Sequence, residues 1–242
     1  MNRHEVMLHI QHATVWALDL VFPPHCASCK RGGHILCPTC LAQLQPAMPP
    51  RCAHCYGGLN ADGTCSACRY YPLRMNGLRA FGHYEGTLRA CIHALKYDGV
   101  TRLAQPLGHL LARTYHTHSL QADLLVPVPL HSERQQQRGY NHASLLAEAC
   151  SRELGIPVKE ELVMRQRATA AQVGLGQQKR RQNVAGAFRC TSASLSRQLA
   201  GRRVLLIDDV CTTGATIEAC AAPLLAAGAR SIWGLVLARP RS

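Results

Sequence analysis

Aromatic residues are scarce in this chain: three Phe, two Trp and seven Tyr make up 5% of 242 residues. So few ring faces exclude an extended platform on which successive nucleic-acid bases stack. Acidic side chains are also few, 14 against 27 Lys and Arg, for a formal net charge of +13. That imbalance favours anionic partners. No stretch approaches the ~20 apolar residues that a bilayer-spanning helix needs, so membrane insertion is not expected. The opening segment, MNRHEVMLHIQHATVWALDLVFPP, holds only short apolar patches broken by His9, His12 and Asp19. It has no obvious small-residue cleavage site, which argues against a secretory leader and for an amphipathic helix packed on the body. A cytoplasmic protein is the expectation.

Cysteine, by contrast, is abundant. Eight of thirteen fall in four CxxC pairs: Cys26/Cys29, Cys37/Cys40, Cys52/Cys55 and Cys65/Cys68. In a reducing compartment clustered cysteines bind metal more often than they form disulfides. One CxxC turn aims two sulfurs at one ion, and two turns complete a tetrahedral site. The four pairs, separated by Gly- and Pro-rich linkers, predict two structural Zn2+ sites. Sequential pairing of the turns is favoured, with an interleaved pairing left open. Four thiolates per ion leave no ligand role for His25, His34 or His54, which read as surface residues. Eight thiolates remove eight charges and two zinc ions return four, leaving the chain basic at +9. The segment has little apolar content of its own, so metal is expected to hold it together.

The remainder, whose core draws on a chain that is 47% hydrophobic, alternates strand and helix patterns. GLRAFGHY (77–84) reads as a strand, TLRACIHALKY (87–97) as a helix, and 103–115 as another helix. LLVPVPL (124–130) is a buried strand, 141–154 a helix ending at Gly155, and SIWGLVLA (231–238) a final strand. This alternation predicts an α/β, doubly wound, mostly parallel sheet. Ligands in such sheets sit beyond the strand C-termini. The expected organisation is an N-terminal helix over 1–24, a small double zinc-ribbon module over 25–75 and the α/β domain over 76–242.

The stretch VLLIDDVCTTGAT (204–216) concentrates the chemistry. A continuous apolar run ends in Asp208 and Asp209, and Thr212, Thr213, Gly214, Ala215 and Thr216 form a hydroxyl-rich loop before a helical segment. Such a loop presents backbone N–H groups and a positive helix end to a phosphate. Carboxylates beside it would repel that phosphate and instead suit the vicinal hydroxyls of a sugar. The stretch resembles the PRPP-binding motif of type I phosphoribosyltransferases. The resemblance implies that Asp208 and Asp209 face ribose hydroxyls, that residues 212–216 wrap the 5-phosphate, and that Mg2+ sits on the ligand's oxygens.

Two basic stretches precede this motif in sequence. In HSERQQQRGYNH (131–142), Arg134 and Arg138 lie one helical turn apart and could form an anion fork, or simply face solvent. Asn141 could cap the next helix or bind a ligand. RQRATAAQVGLGQQKRRQNVAGAF (165–188) suits either a mobile flap over an anionic site or a plain surface loop.

The pieces together resemble the ComF family of competence and DNA-utilisation proteins, to which GntX belongs. LDLVFPPHCASC, the four CxxC knuckles, ALKYDG, VPVPLHSERQQQRGYNHA, the TAAQVGLGQQKRRQNVAGAF flap and VLLIDDVCTTGATIEA occur in family order. The resemblance implies that Lys96, Arg134 and Arg138 stabilise a leaving pyrophosphate, in the role of catalytic groups. It places Pro127, Val128 and Asn141 near the ligand, and Gln172, Arg180 and Asn183 on the flap. His142 stands where the family more often has Gln, and Gly176 to Lys179 make an unusual approach to Arg180. The family further implies a link to incoming single-stranded DNA and to proteins of the DNA-uptake machinery. Two functions therefore stand side by side: a binder of PRPP or a related phosphoribosyl ligand that also holds DNA, and a working phosphoribosyltransferase of nucleotide salvage.

Overall fold

The computed structural model describes residues 23–168, 176–191 and 197–241. The expected N-terminal helix, but for its last two residues, and Gln172 lie outside the described residues. The described helices are α1 (Pro38–Ala42), α2 (Ser66–Tyr70), α3 (Gly86–Tyr97), α4 (Ala104–Thr117), α5 (Ser132–Arg138), α6 (His142–Leu154), α7 (Gln177–Val184) and α8 (Ala215–Ala226). The strands are β1 (Gly77–His83), β2 (Leu124–Pro127), β3 (Val163–Arg165), β4 (Phe188–Cys190), β5 (Arg203–Val210) and β6 (Ser231–Arg239).

Four strands form one parallel sheet in the order β1-β6-β5-β2. The apolar run of β5 sits at its centre: Val204, Leu205, Leu206 and Ile207 are buried, as a strand covered on both faces requires. Leu205 and Ile207 point into a cluster with Ile92 of α3, Leu107 and Leu111 of α4 and Leu146 of α6. Val204 and Leu206 point the opposite way, toward Ile217 and Leu224 of α8 and Phe188 of β4. The sheet is thus wound with helices on both faces, the phosphoribosyltransferase-like arrangement that the β/α alternation predicts. A Cβ at Gly108 of α4 would lie 2.4 Å from that of Ala149, so only glycine lets α4 and α6 pack this closely.

The two cysteine ribbons form a clip over the β1 edge. Ala27 of the first ribbon joins the α3 side of the core, while Cys52 and Cys55 of the second join the α8 side. The linker and the second knuckle bond to β1 directly: Ala47 N–H of the linker donates to Phe81 C=O at 2.7 Å, and Leu78 N–H donates to the knuckle carbonyl of His54 at 2.8 Å. An edge strand whose backbone would otherwise be open is therefore covered. At the other edge, Leu125 N–H donates to Pro157 C=O and Lys159 N–H to Leu125 C=O, each at 2.9 Å.

Candidate functional site

Cysteines 26, 29, 37 and 40 converge in one group and cysteines 52, 55, 65 and 68 in the other, each with its sulfurs within 4.8 Å of one another. This is the sequential pairing. Cys29–Cys37 and Cys55–Cys65 sulfurs are 3.6 Å apart and Cys52–Cys68 3.7 Å. A tetrahedron with Zn–S bonds of about 2.3 Å has edges of about 3.8 Å, whereas a disulfide needs about 2.05 Å. Cys37 N–H donates to Cys26 Sγ and Gly57 N–H to Cys55 Sγ, each at 3.4 Å, contacts that suit thiolates. The donor sets fit Zn2+, and neither includes His25, His34 or His54.

The second site opens at the C-terminal end of the sheet. A cavity of about 730 Å³ is lined by Lys96, Arg134, Arg138, Arg165 and Arg180 on the cationic side and by Asp208 and Asp209 on the anionic side. Val128, Tyr84, Tyr97 and Val210 supply apolar wall. A smaller pocket of about 40 Å³ is enclosed by the loop from Cys211 to Ile217, including Thr213, Gly214 and Ala215. Asp208, Val210, Thr212 and Thr216 line both. Gly214 turns this loop: it adopts φ +83°, a left-handed conformation, at the position that precedes α8.

Strand geometry makes the two adjacent aspartates unlike. Successive side chains on β5 point to opposite faces. Asp209 follows Ile207 onto the α3/α6 side and is buried; its Oδ2 lies 2.6 Å from Lys96 Nζ and 3.2 Å from His142 Nε2. Asp208 leaves the strand on the face of Leu206, but its carboxylate folds back: Oδ1 accepts from Asp209 N–H at 2.9 Å and lies 3.9 Å from His142 Nε2, and the group stays partly exposed to both cavities. The pair was expected to face ribose hydroxyls together. Both line the large cavity, Asp208 with its carboxylate partly exposed and Asp209 with its carboxylate engaged by Lys96 and His142.

These neighbours form a chain of polar contacts. Arg138 Nη1 lies 2.7 Å from His142 Nδ1, and a guanidinium can only donate, so that nitrogen must be the unprotonated one. The ring proton then sits on Nε2, facing Asp209. Burial lowers the His142 pKa to about 4, with Lys96 and Arg138 adding to the fall, so the ring is neutral near pH 7. Burial pushes Asp209 upward, but His142 and Lys96 outweigh it and hold the carboxyl below the ordinary carboxylate range. At Asp208 the balance falls the other way: burial, then the charge of Asp209, raise it to about 7 against the smaller opposing pull of Lys96 and the Asp209 N–H.

The remaining expected residues separate by place. Lys96, Arg134, Arg138, Val128, Thr212 and Thr216 line the large cavity. Arg180 of α7 lines it as well and donates to Thr212 Oγ1 at 2.7 Å, so this part of the flap sequence reaches the loop. Pro127 ends β2 beneath the cavity, and Val128 N–H continues the ladder to Ile207 C=O. Asn141 takes the capping alternative. Its Oδ1 accepts from Ala143 N–H at 3.0 Å, and its Nδ2 donates to Val128 C=O. Asn183 is not among the cavity residues, and its carbonyl accepts from Arg167. Cys211, two residues after Asp209, is buried and its thiol pKa is raised by that burial, which disfavours the thiolate.

Sequence reasoning missed three participants. His142 showed only as an unusual residue after Asn141, with nothing to say that it would meet Asp209. Arg165 is buried and lines the cavity because β3 pairs antiparallel with β4, Arg165 opposite Phe188. No local pattern marks that three-residue pairing. Tyr97 stands 64% exposed at the rim with the Arg138 guanidinium 5.2 Å above its ring. Its place beside Lys96 in ALKYDG was the available signal.

Known proteins match along the same lines. A model described as a double zinc ribbon domain matches residues 17–69, and one described as a phosphoribosyl transferase domain matches residues 141–242. Competence protein F of Haemophilus influenzae is 34% identical over 225 residues, covering 88% of this chain and 96% of the relative. DNA utilization protein YhgH of Escherichia coli strain K12 is 32% identical over 212 residues, covering 86% and 85%. Competence protein ComFC of Bacillus subtilis is 24% identical over 212 residues, covering 84% of each.

Proposed function

The chain belongs to the family of competence protein F and the DNA utilization proteins, and from that premise we propose that it binds PRPP or a related phosphoribosyl ligand with Mg2+ in DNA uptake or utilisation. The observation that carries this reading is the position of Asp208, shared by a small pocket that the loop from Cys211 to Ile217 encloses and a larger cation-lined cavity. A 5-phosphate fits the loop from Cys211 to Ile217, where N–H groups and the start of α8 meet it. The ribose diol then falls on Asp208, and a pyrophosphate on Arg134, Arg138, Arg165 and Arg180. Lys96 contributes from below while paired with Asp209.

The donors present fit Mg2+. That ion keeps several waters and takes one or two carboxylates together with substrate phosphates. Asp208 offers the carboxylate, within 4.8 Å of His142 and Asp209. When bound, the metal would neutralise pyrophosphate charge.

Isothermal titration with PRPP and Mg2+ tests the pocket. Wild type is expected to bind and Asp208→Asn to bind at least tenfold more weakly; a wild type that does not bind removes the reading. The excess of basic residues supports contact with the backbone of single-stranded DNA, weakly and with steep salt dependence. Absence of binding even at low ionic strength would end that part. DNA-uptake proteins are the partners such a role entails. Cysteines gathered into two metal-type sets, with none in a disulfide, fit a reducing, cytoplasmic setting. No helix among the described residues is long and apolar enough to cross a membrane.

One observation favours a second reading, a phosphoribosyltransferase of nucleotide metabolism. The large cavity sets Lys96, Arg134, Arg138, Arg165 and Arg180 opposite the two carboxylates, a charge arrangement suited to a departing pyrophosphate. A nitrogen nucleophile would displace pyrophosphate from C1, with the arginines stabilising the leaving group. Pyrophosphate release on adding a panel of bases separates this enzyme from a ligand-binding protein, which would release none.

A further inference from the structure

The second cysteine ribbon is built into the wall of the small pocket. Arg239, the last residue of β6, sends one guanidinium nitrogen to the carbonyl of the metal-knuckle residue Cys55. Its other nitrogen donates to the Thr212 carbonyl at 2.9 Å. Beside it, Leu73 leaves only 3.1 Å between its Cδ2 and the place of a Cβ at Gly214. Arg74 N–H donates to Glu218 Oε1 of α8 at 2.6 Å. From α7, Arg181 donates to Tyr71 C=O at 3.1 Å and lies 4.9 Å from the Tyr71 ring. The exit from Cys68 to Met75 therefore touches the turn of the pocket, the helix behind it and the helix that reaches over it. The first ribbon docks elsewhere, through Ser28 Oγ to Thr87 Oγ1 of α3 at 3.1 Å.

We infer that Arg239 is a positioning residue that couples the second four-thiolate metal site to the phosphate pocket. The guanidinium is planar and donates in two directions at once, so it fixes the distance between two carbonyls that belong to different parts of the molecule. One is held by the metal knuckle and the other shapes the loop that wraps the phosphate. Ordering either end orders the other. Coupling of this kind is reciprocal: a filled knuckle raises affinity for phosphate, and bound phosphate retains the metal by the same factor. The inference rests on the zinc and phosphate-pocket readings but goes beyond both.

Reciprocity supplies a test that does not depend on turnover. Zinc partition between the intact two-zinc protein and a metallochromic chelator is measured at equilibrium with and without saturating ribose 5-phosphate, whose affinity is measured separately by titration. One of the two ions is expected to be held on the order of fivefold more tightly when the ligand is bound. Arg239→Met should keep both zinc ions by native mass spectrometry, bind ribose 5-phosphate more weakly and lose the effect on zinc affinity. Arg239→Lys keeps the charge but cannot span two carbonyls, and should behave like Arg239→Met. Full coupling in Arg239→Lys overturns the bridging role. Ribose 5-phosphate binding with unchanged zinc affinity in wild type overturns the coupling alone. Failure of wild type to bind ribose 5-phosphate ends the phosphate-pocket reading together with it. The wild-type comparison needs no variant, so a misfolded variant leaves a decisive result.

Discussion

Lys96 Nζ and Asp209 Oδ2 meet at 2.6 Å beneath the cavity, one at the C-terminal end of α3 and the other at the end of β5. The pair joins the last turn of that helix to the end of the central strand. Removing one partner of a buried pair strands the other charge, at a cost of about 3–5 kcal/mol. Asp209→Ala is therefore expected to lose stability on that scale by urea denaturation. Asp208→Asn, which replaces a carboxyl whose ionisation burial disfavours, should lose no stability and impair ligand binding instead. Equal stability of Asp209→Ala and wild type would remove the structural role.

Acid should unfold the protein through the same cluster. The folded His142 pKa of about 4 lies below the ordinary value of about 6.5. The unfolded chain takes up that proton first, so stability falls as pH drops from about 6.5 toward 4. Asp209, held below the carboxylate range, acts in the same direction: its contribution is full above the unfolded pKa and is lost as pH falls through the folded one. Urea midpoints measured from pH 7 to pH 4 should decline. His142→Gln should flatten the upper part of that decline, and an unchanged profile would assign the acid sensitivity elsewhere.

Asp208 has the opposite sign. Its raised pKa makes the folded state hold a proton that the unfolded chain has released, so its ionisation destabilises the fold as pH rises toward 7. A diol or a cation that prefers the carboxylate should bind more tightly as pH climbs from 6 to 8. Titrations of PRPP with Mg2+ across this range should show that gain in wild type and none of it in Asp208→Asn.

Gly214→Ala tests the turn. A side chain there must take φ +83° and also meet Leu73, so a loss of about 1–3 kcal/mol and of phosphate binding is expected. Gly99→Ala, also at positive φ but in open space, should lose some stability without the binding defect. Parallel defects in both variants would separate the loop from the ligand.

Much of this could be read in the chain before folding because the signals were local. Four CxxC turns, the uniform apolar run of β5 and the glycine-turned loop each need only neighbouring residues. Asn141 was read with two meanings, and its contact to Ala143 N–H decides for the cap. What escaped notice depends on distant pairing. Asp208 and Asp209 look equivalent on paper, yet a period of two sends them to opposite faces, and only Lys96 and His142 reveal the consequence. Arg165 enters the cavity through a pairing with Phe188, 23 positions away. Arg239 lies 184 positions from Cys55 and shows no motif at all.

Because the linker at Ala47 and the knuckle carbonyl at His54 complete the hydrogen bonds of β1, the cysteine segment is not an appendage that can be cut away at residue 76. A fragment beginning there would present a bare run of amides and carbonyls from Leu78 to Phe81, ready to recruit a second chain. Stripping zinc from the whole protein loosens the same border. Oligomers or precipitate on chelation, rather than a quietly folded monomer, are what light scattering should record.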